Sequence, residues 1–327
     1  MTVSLAILAI STAAIFFCCE AFTNGVEWLG MRLKLGQTAT GTILAALGTA
    51  LPEGVVTLVA TAFAENPAQQ SIGIGAAMGG PLALATIAYA VVGGALMTRR
   101  GAPHLPPEDR RRLSGNQIAF LGIFAVKLGI GLVAFTLKPW LGCFFLACYA
   151  FYLRAEIKHP GGEQEGELHP LKIRPRSADP ALAWILLQCF GSAAIIFAAS
   201  HFFVTELDTL APTLGVPPQL FALFVSPIAT ELPEILNAVI WVRQGKQKLA
   251  LANISGAMMI QATIPTSFGV FFTPWMLDRS LQLSGVATAA AILYLVFLFR
   301  RDRVEPVALL QVFWAFAAFV AAILLLG

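Results

Sequence analysis

The sequence predicts an all-α membrane protein with about ten transmembrane helices, folded as two inverted five-helix repeats with broken helices at the midplane. Three observations carry that prediction: the composition, the spacing of the apolar stretches, and a short motif that occurs once in each half. Hydrophobic residues are 57% of the chain and charged residues 12%. The mean hydropathy is +0.77, far outside the range of soluble globular domains. Apolar stretches lie near 3–22, 38–63, 71–98, 116–136, 138–154, 181–204, 217–243, 249–273, 281–299 and 305–326. Each approaches the roughly 20 residues that a helix needs to cross the hydrocarbon core.

The first stretch, "MTVSLAILAIST", has no basic segment before it, so it reads as a retained span and not as a cleaved signal. Cys18, Cys19, Cys143, Cys148 and Cys189 all fall inside apolar spans without metal-type spacing and read as small core residues with no disulfide or redox role. The basic residues fix the orientation. Arg32 and Lys34, Arg99 to Arg112, Arg154 to Arg176, Arg243 to Lys248 and Arg300 to Arg303 occupy alternate loops, against Lys138 and Arg279 on the other face. The positive-inside rule then places those loops in the cytoplasm and both termini outside. The net charge of +3 is thus spread over five loops as a topology signal and gives no nucleic-acid footprint.

Between the fifth and sixth spans lies "KHPGGEQEGELHPLKIRPRSADP", rich in Gly, Pro and charge. It reads as a solvated cytoplasmic linker (156–180) between a first repeat (1–155) and a second (181–327). Five spans per half is an odd number, so the second half enters the membrane from the opposite side, and similarity between the halves implies inverted topology. That similarity is present: "LGTALPEGV" (47–55) and "IATELPEIL" (228–236) share T-x-L-P-E. In both halves a small-residue stretch, "SIGIGAAMGG" or "ANISGAMMIQ", begins 18 residues after the last glutamate of the motif.

The motif has a definite chemistry. Pro52 and Pro233 each remove one helix donor and collide with the carbonyl four residues earlier, that of Gly48 or Ala229, so each helix is expected to open there. Freed carbonyls in a membrane persist only where they face protein or a wet cavity, and a bound cation is one way to satisfy them. Thr49 and Thr230 stand four residues before Glu53 and Glu234, on the same helical face. Each half therefore offers a carboxylate, a hydroxyl and loose carbonyls, the oxygen donors that hard cations such as Ca²⁺ select. A carboxylate at mid-membrane costs about 2.5–3.5 kcal/mol on insertion scales, a large penalty to carry at two symmetric positions without a function.

These motifs resemble the calcium/cation antiporter superfamily, whose bacterial members include sodium/calcium exchangers. Its pattern is G-T-S-x-P-E followed by G-N-x-x-G-S-N-x-x-[ND], once per half. The resemblance covers essentially the whole chain and implies an integral protein of the bacterial cytoplasmic membrane that exchanges Ca²⁺ or a similar divalent cation for Na⁺ by alternating access. It implies no resident cofactor and no partner beyond membrane lipid and the transported cations. Carried over by position, Glu53 and Glu234 match the paired ion-binding glutamates, Thr49 and Thr230 the motif threonines, Asn253 the first asparagine of the second pattern and Gln261 its last residue. Ala50 and Gly80 depart from it, leaving the first half short of ligands, whereas Glu231 replaces a serine with a carboxylate.

Glu53, Glu231 and Glu234 are therefore the candidate metal ligands, with Glu231 either a further ligand or the carrier of a coupling proton, since repulsion among three carboxylates favours a proton on the vacant site. Its alternative is a residue turned toward an aqueous vestibule. Lys127, in "FLGIFAVKLGIGLV", is expected to pair with one of the glutamates or to act as an internal cation, with snorkelling to an interface as the alternative. Glu20 and His201 lie near span ends, where solvation suits them. H⁺ coupling is the nearest rival function, followed by a passive cation channel. No nucleophile with a base, His cluster or phosphate loop points to an enzyme.

Overall fold

The structure is a computed structural model and describes residues 1–33, 45–98, 105–158, 169–301 and 304–326. It is all helical among these residues. In order come α1 (Thr2–Arg32), α2 (Ala45–Ala62), α3 (Pro67–Ala83) and, after a single π-helical turn (Leu84–Ala88), α4 (Tyr89–Met97). Then follow α5 (Pro107–Gly131), α6 (Leu141–Lys158), α7 (Leu182–Thr213), α8 (Pro218–Thr230) and α9 (Leu232–Arg243). The last are α10 (Gln247–Phe272), α11 (Arg279–Arg300), α12 (Pro306–Gln311) and α13 (Phe313–Leu326). Among the described residues seven helices are long and apolar enough to cross a membrane, and the bent pair α8–α9 makes an eighth. The stretches at 38–63 and 138–154 correspond to α2 and α6, each of which adjoins residues outside those described.

Each element follows from its sequence. Pro67, at the start of α3, needs no donor, and Asn66 before it accepts from the Gln69 amide, closing the helix start. Pro81 removes a donor inside α3, and the π turn that follows absorbs the mismatch before α4 continues. Asp278 caps α11 by accepting from the Leu281 amide.

The two proline motifs fold differently. α2 runs through Pro52 as one helix, contrary to the expectation of a break in both halves. The other motif does break: α8 ends at Thr230, α9 starts at Leu232, and the axes bend by 45° about Glu231. The second half has an additional proline, Pro227, where the first has Ala46. Two prolines six residues apart leave the Leu223 and Ala229 carbonyls without helix donors, whereas Pro52 frees only that of Gly48.

Packing is reciprocal across the chain. α3 crosses α8, α10 crosses α2 and α6, α11 lies on α5, and α1 pairs with α7. Gly75 and Gly79, one helical turn apart in α3, permit the first crossing, because a Cβ at either would overlap the backbone carbonyl of Gln219 or Leu223 in α8. Without a hydrophobic drive between lipid-soaked helices, such close backbone approach is the main source of association.

Residues 156–180 do not all form a loose linker. The portion from His169 to Pro180 docks on α1 and α7: the Asn24 amide and the Trp28 indole both donate to the His169 carbonyl, and Arg32 pairs with Asp179 at 2.7 Å. Leu171 is fully buried with Val26, Trp28, Ile185 and Cys189. Residues 159–168 lie outside the described residues.

Candidate functional site

Glu53 follows Pro52 within α2 and has no exposed surface, where α2 faces α8 and α10. Its Oε2 accepts from the Thr230 hydroxyl at 2.7 Å and from Ser226 at 3.4 Å, both on α8. The same Thr230 hydroxyl lies 3.0 Å from Glu231 Oε1, and the Gln261 amide nitrogen from α10 donates to that oxygen. Glu53, Thr230, Glu231 and Gln261 thus form one continuous polar chain through a buried centre, contributed by α2, the α8–α9 break and α10. Glu231 and Glu234 are each 1% exposed. Glu231 is therefore not turned toward a vestibule.

Hydrogen-bond arithmetic constrains this centre. A hydroxyl has one proton. Thr230 can donate to Glu53, to Glu231 or to the Ser226 carbonyl at 3.2 Å, and both carboxyl contacts are hydrogen bonds at once only when one carboxyl carries a proton and donates back. Among the described residues, the buried oxygens Glu53 Oε1, Gln261 Oε1, Thr57 Oγ1 and Thr266 Oγ1 have no hydrogen-bond partner. Orphaned buried oxygens on adjoining helices are the donor type that a hard cation takes. Among the described residues no three acidic, histidine or cysteine side chains converge as a ready metal cluster, so a divalent ion here would draw on hydroxyl, amide and carbonyl oxygens as well as carboxylates.

The departures in the first half have a steric reading. A Cβ at Gly80 would lie 2.6 Å from Gln261 Oε1, so the longer Gln261 side chain occupies the space that a side chain at position 80 would need. Asn253 is half-buried and eight residues before Gln261 on α10, about 12 Å along the axis, away from the polar chain. The backbone of Thr49 belongs to α2, and its side chain lies outside the described residues.

Of the two expectations for Lys127, a direct ion pair with a glutamate is not found among the described residues. The residue is fully buried. Its Nζ donates to the Ala77 carbonyl at 2.7 Å, which is the carbonyl that Pro81, four residues on, leaves without a helix donor. Phe124 and Trp275 present ring faces 5.5 and 5.7 Å from the same nitrogen. Sequence reasoning missed Ser226, although it stands four residues before Thr230 as Thr230 does before Glu234. It also missed Thr57 and Thr266, whose hydroxyls look like ordinary helix-interior threonines until the helices are packed.

The whole chain has relatives. It is 24% identical over 331 residues to CaxA of Alkalimonas amylolytica, covering 96% of this chain and 97% of that one. The structure of the H⁺/Ca²⁺ exchanger CAX has the same fold, with a TM-score of 0.78 at 18% identity, covering 98% of this chain and 82% of the other. So does the sodium-calcium exchanger NCX_Mj, at 0.63 and 16% identity, with 98% and 99% covered. The family model described as sodium/calcium exchanger protein matches residues 3–158 and 184–324, nearly the full length. The chain belongs to the sodium/calcium exchanger protein family.

Proposed function

We infer that this chain is a secondary active antiporter that carries Ca²⁺, or a divalent cation of similar chemistry, against Na⁺ by alternating access. The observation that carries this reading is the buried polar chain from Glu53 through Thr230 and Glu231 to Gln261, built by helices from both ends of the sequence at a break in the α8–α9 span. Glu53, Glu231 and Glu234 are the carboxylates of the ion site in this reading, with Thr230 and Gln261 as neutral oxygen donors and Thr49 as the first half's hydroxyl. The residue ranges 1–155 and 181–327 act as inverted repeats, each supplying one half-site. Membership of an exchanger family supports the reading, as do the orphaned oxygens.

A second reading, H⁺ in place of Na⁺, is favoured by the Thr230 hydroxyl lying between two carboxyls with one proton, since both contacts are hydrogen bonds at once only with a proton on one carboxyl. Proteoliposomes separate the readings. Ca²⁺ uptake driven by an imposed Na⁺ gradient at constant pH supports the first, and uptake driven by a pH gradient alone supports the second. Flux with neither gradient is the behaviour of a channel and sinks both. Glu53→Gln and Glu234→Gln are expected to abolish exchange in protein that still purifies as a folded species; near wild-type rates in either variant would remove that residue from the site.

A further inference from the structure

The broken span α8–α9 has an outward side as well as the inward one that carries Glu231. Ile228, Leu232, Leu236 and Ile240 are exposed at intervals of four along it and form one apolar stripe across the bend. The two helices together are long and apolar enough to cross a membrane, so this stripe meets the hydrocarbon of the bilayer. Ile228 and Leu232 also line a cavity of about 180 Å³ that reaches inward to Leu82 and Ala83 of α3 and Leu223 of α8. Those three wall residues are buried, at 1%, 5% and 2% exposed. Among the described residues no side chain lining the cavity is polar. Close-packed interiors leave few voids larger than a water molecule, and an apolar void of about 150 Å³ stays dry while admitting an apolar guest. The mouth of this one is continuous with the lipid-facing stripe, so hydrocarbon is what stands at its entrance.

We propose that this cavity is a binding site for the acyl chain of a bilayer lipid, entered between Ile228 and Leu232. Escape from water does not draw the chain in, because the bilayer around it is already apolar. The drive is the dispersion contact that unfilled walls forfeit and a chain restores. The bound chain touches α8 through Leu223 and Ile228 and α9 through Leu232, so it bridges the two halves of the bend. Glu231, which lies between the two mouth residues in sequence, turns inward, where its Oε1 accepts from Gln261. One break in the helix thus serves two ligand chemistries, oxygen donors toward the centre of the molecule and an apolar slot toward the membrane. The proposal goes beyond the antiport reading and does not depend on it.

The test is photolabelling in proteoliposomes of phosphatidylcholine and phosphatidylglycerol that include a phosphatidylcholine with a diazirine midway along one chain. After irradiation, mass spectrometry of the digested protein locates the adducts. In the wild type they are expected at Leu82, Ala83 or Leu223, as well as at Leu324 and Leu325, which are 78% and 84% exposed and serve as lipid-facing reference positions. Ile228→Trp covers the mouth from a position whose side chain is outside the core. It is expected to lose the wall adducts and keep those at Leu324 and Leu325, whereas Ile228→Ala keeps both. If Ile228→Trp is not recovered folded, Leu232→Trp covers the same mouth with the same expected loss. Wild-type adducts confined to exposed residues overturn the proposal, whether the cavity is then empty or filled by a second copy of the chain. Wall adducts that persist behind the tryptophan overturn it too. So does equal labelling of Ile72, a fully buried residue of α3 away from the cavity, since that is the mark of a loosened bundle. No transport is measured, so failure here leaves the antiport reading standing, and failure of that reading leaves this result intact.

Discussion

Thr230 is the residue on which the centre turns, because its single hydroxyl reaches carboxyls from two separate helices. Hydrogen bonds to charged groups contribute about 1.5–3 kcal/mol, equivalent to roughly 10–100-fold in an equilibrium constant. Thr230→Val keeps the shape and removes the bridge, so the half-saturating Ca²⁺ concentration for uptake is expected to rise by about that factor, while Thr230→Ser stays near wild type. Equal affinities for the Val and Ser variants would show that the bridge does not hold the site. Gly80 and Gln261 make a second, reciprocal case. Gly80→Asn brings in the amide of the family pattern but collides with Gln261, so alone it is expected to lower thermal stability and exchange, and Gln261→Gly in the same chain is expected to restore both. Failure of the second change to compensate would mean that the two positions do not share one volume.

Between helices, how much was legible depended on whether the sequence carried the deciding chemistry locally. The apolar lengths gave the elements closely, and T-x-L-P-E pointed to Glu53, Thr230 and Glu231, and the family resemblance to Gln261, before any packing was known. Local chemistry misled where a partner decides the outcome. One proline does not break α2, and two break α8–α9. Lys127 looked like a glutamate's partner because no sequence rule reveals that Pro81, on another helix, leaves an acceptor within its reach. The glycines of "SIGIGAAMGG" matched a family pattern, yet Gly75 and Gly79 let α3 reach the α8 backbone. Overpacking costs about 1–3 kcal/mol and sometimes more. Gly75→Val, whose branches would press on the Gln219 carbonyl, is expected to lower the melting temperature in detergent by several degrees; an unchanged melting curve would show that the crossing has slack.

Across the molecule, α1 and α7 lead the two expected repeats, pack against each other, and are further joined by residues 169–180. Gln188 of α7 donates to the Ala21 carbonyl and Asn24 Oδ1 of α1 and accepts from the Ile173 amide, so helix, helix and connecting segment share one polar knot. A segment held this way stays on the side of the membrane where α1 ends and α7 begins, which the positive-inside rule predicts to be the cytoplasm. Helix parity in the expected ten-span topology predicts the turn between α5 and α6 on the opposite face. Cysteines introduced at the exposed positions Ala178 and Thr136, in a background with the native cysteines replaced, report this directly. Ala178→Cys is expected to react with a membrane-impermeant maleimide only in inside-out vesicles, and Thr136→Cys only in intact cells. Labelling of both from one side would dissolve the inverted arrangement of the halves, and with it the reason for a site built from one carboxylate-bearing motif in each.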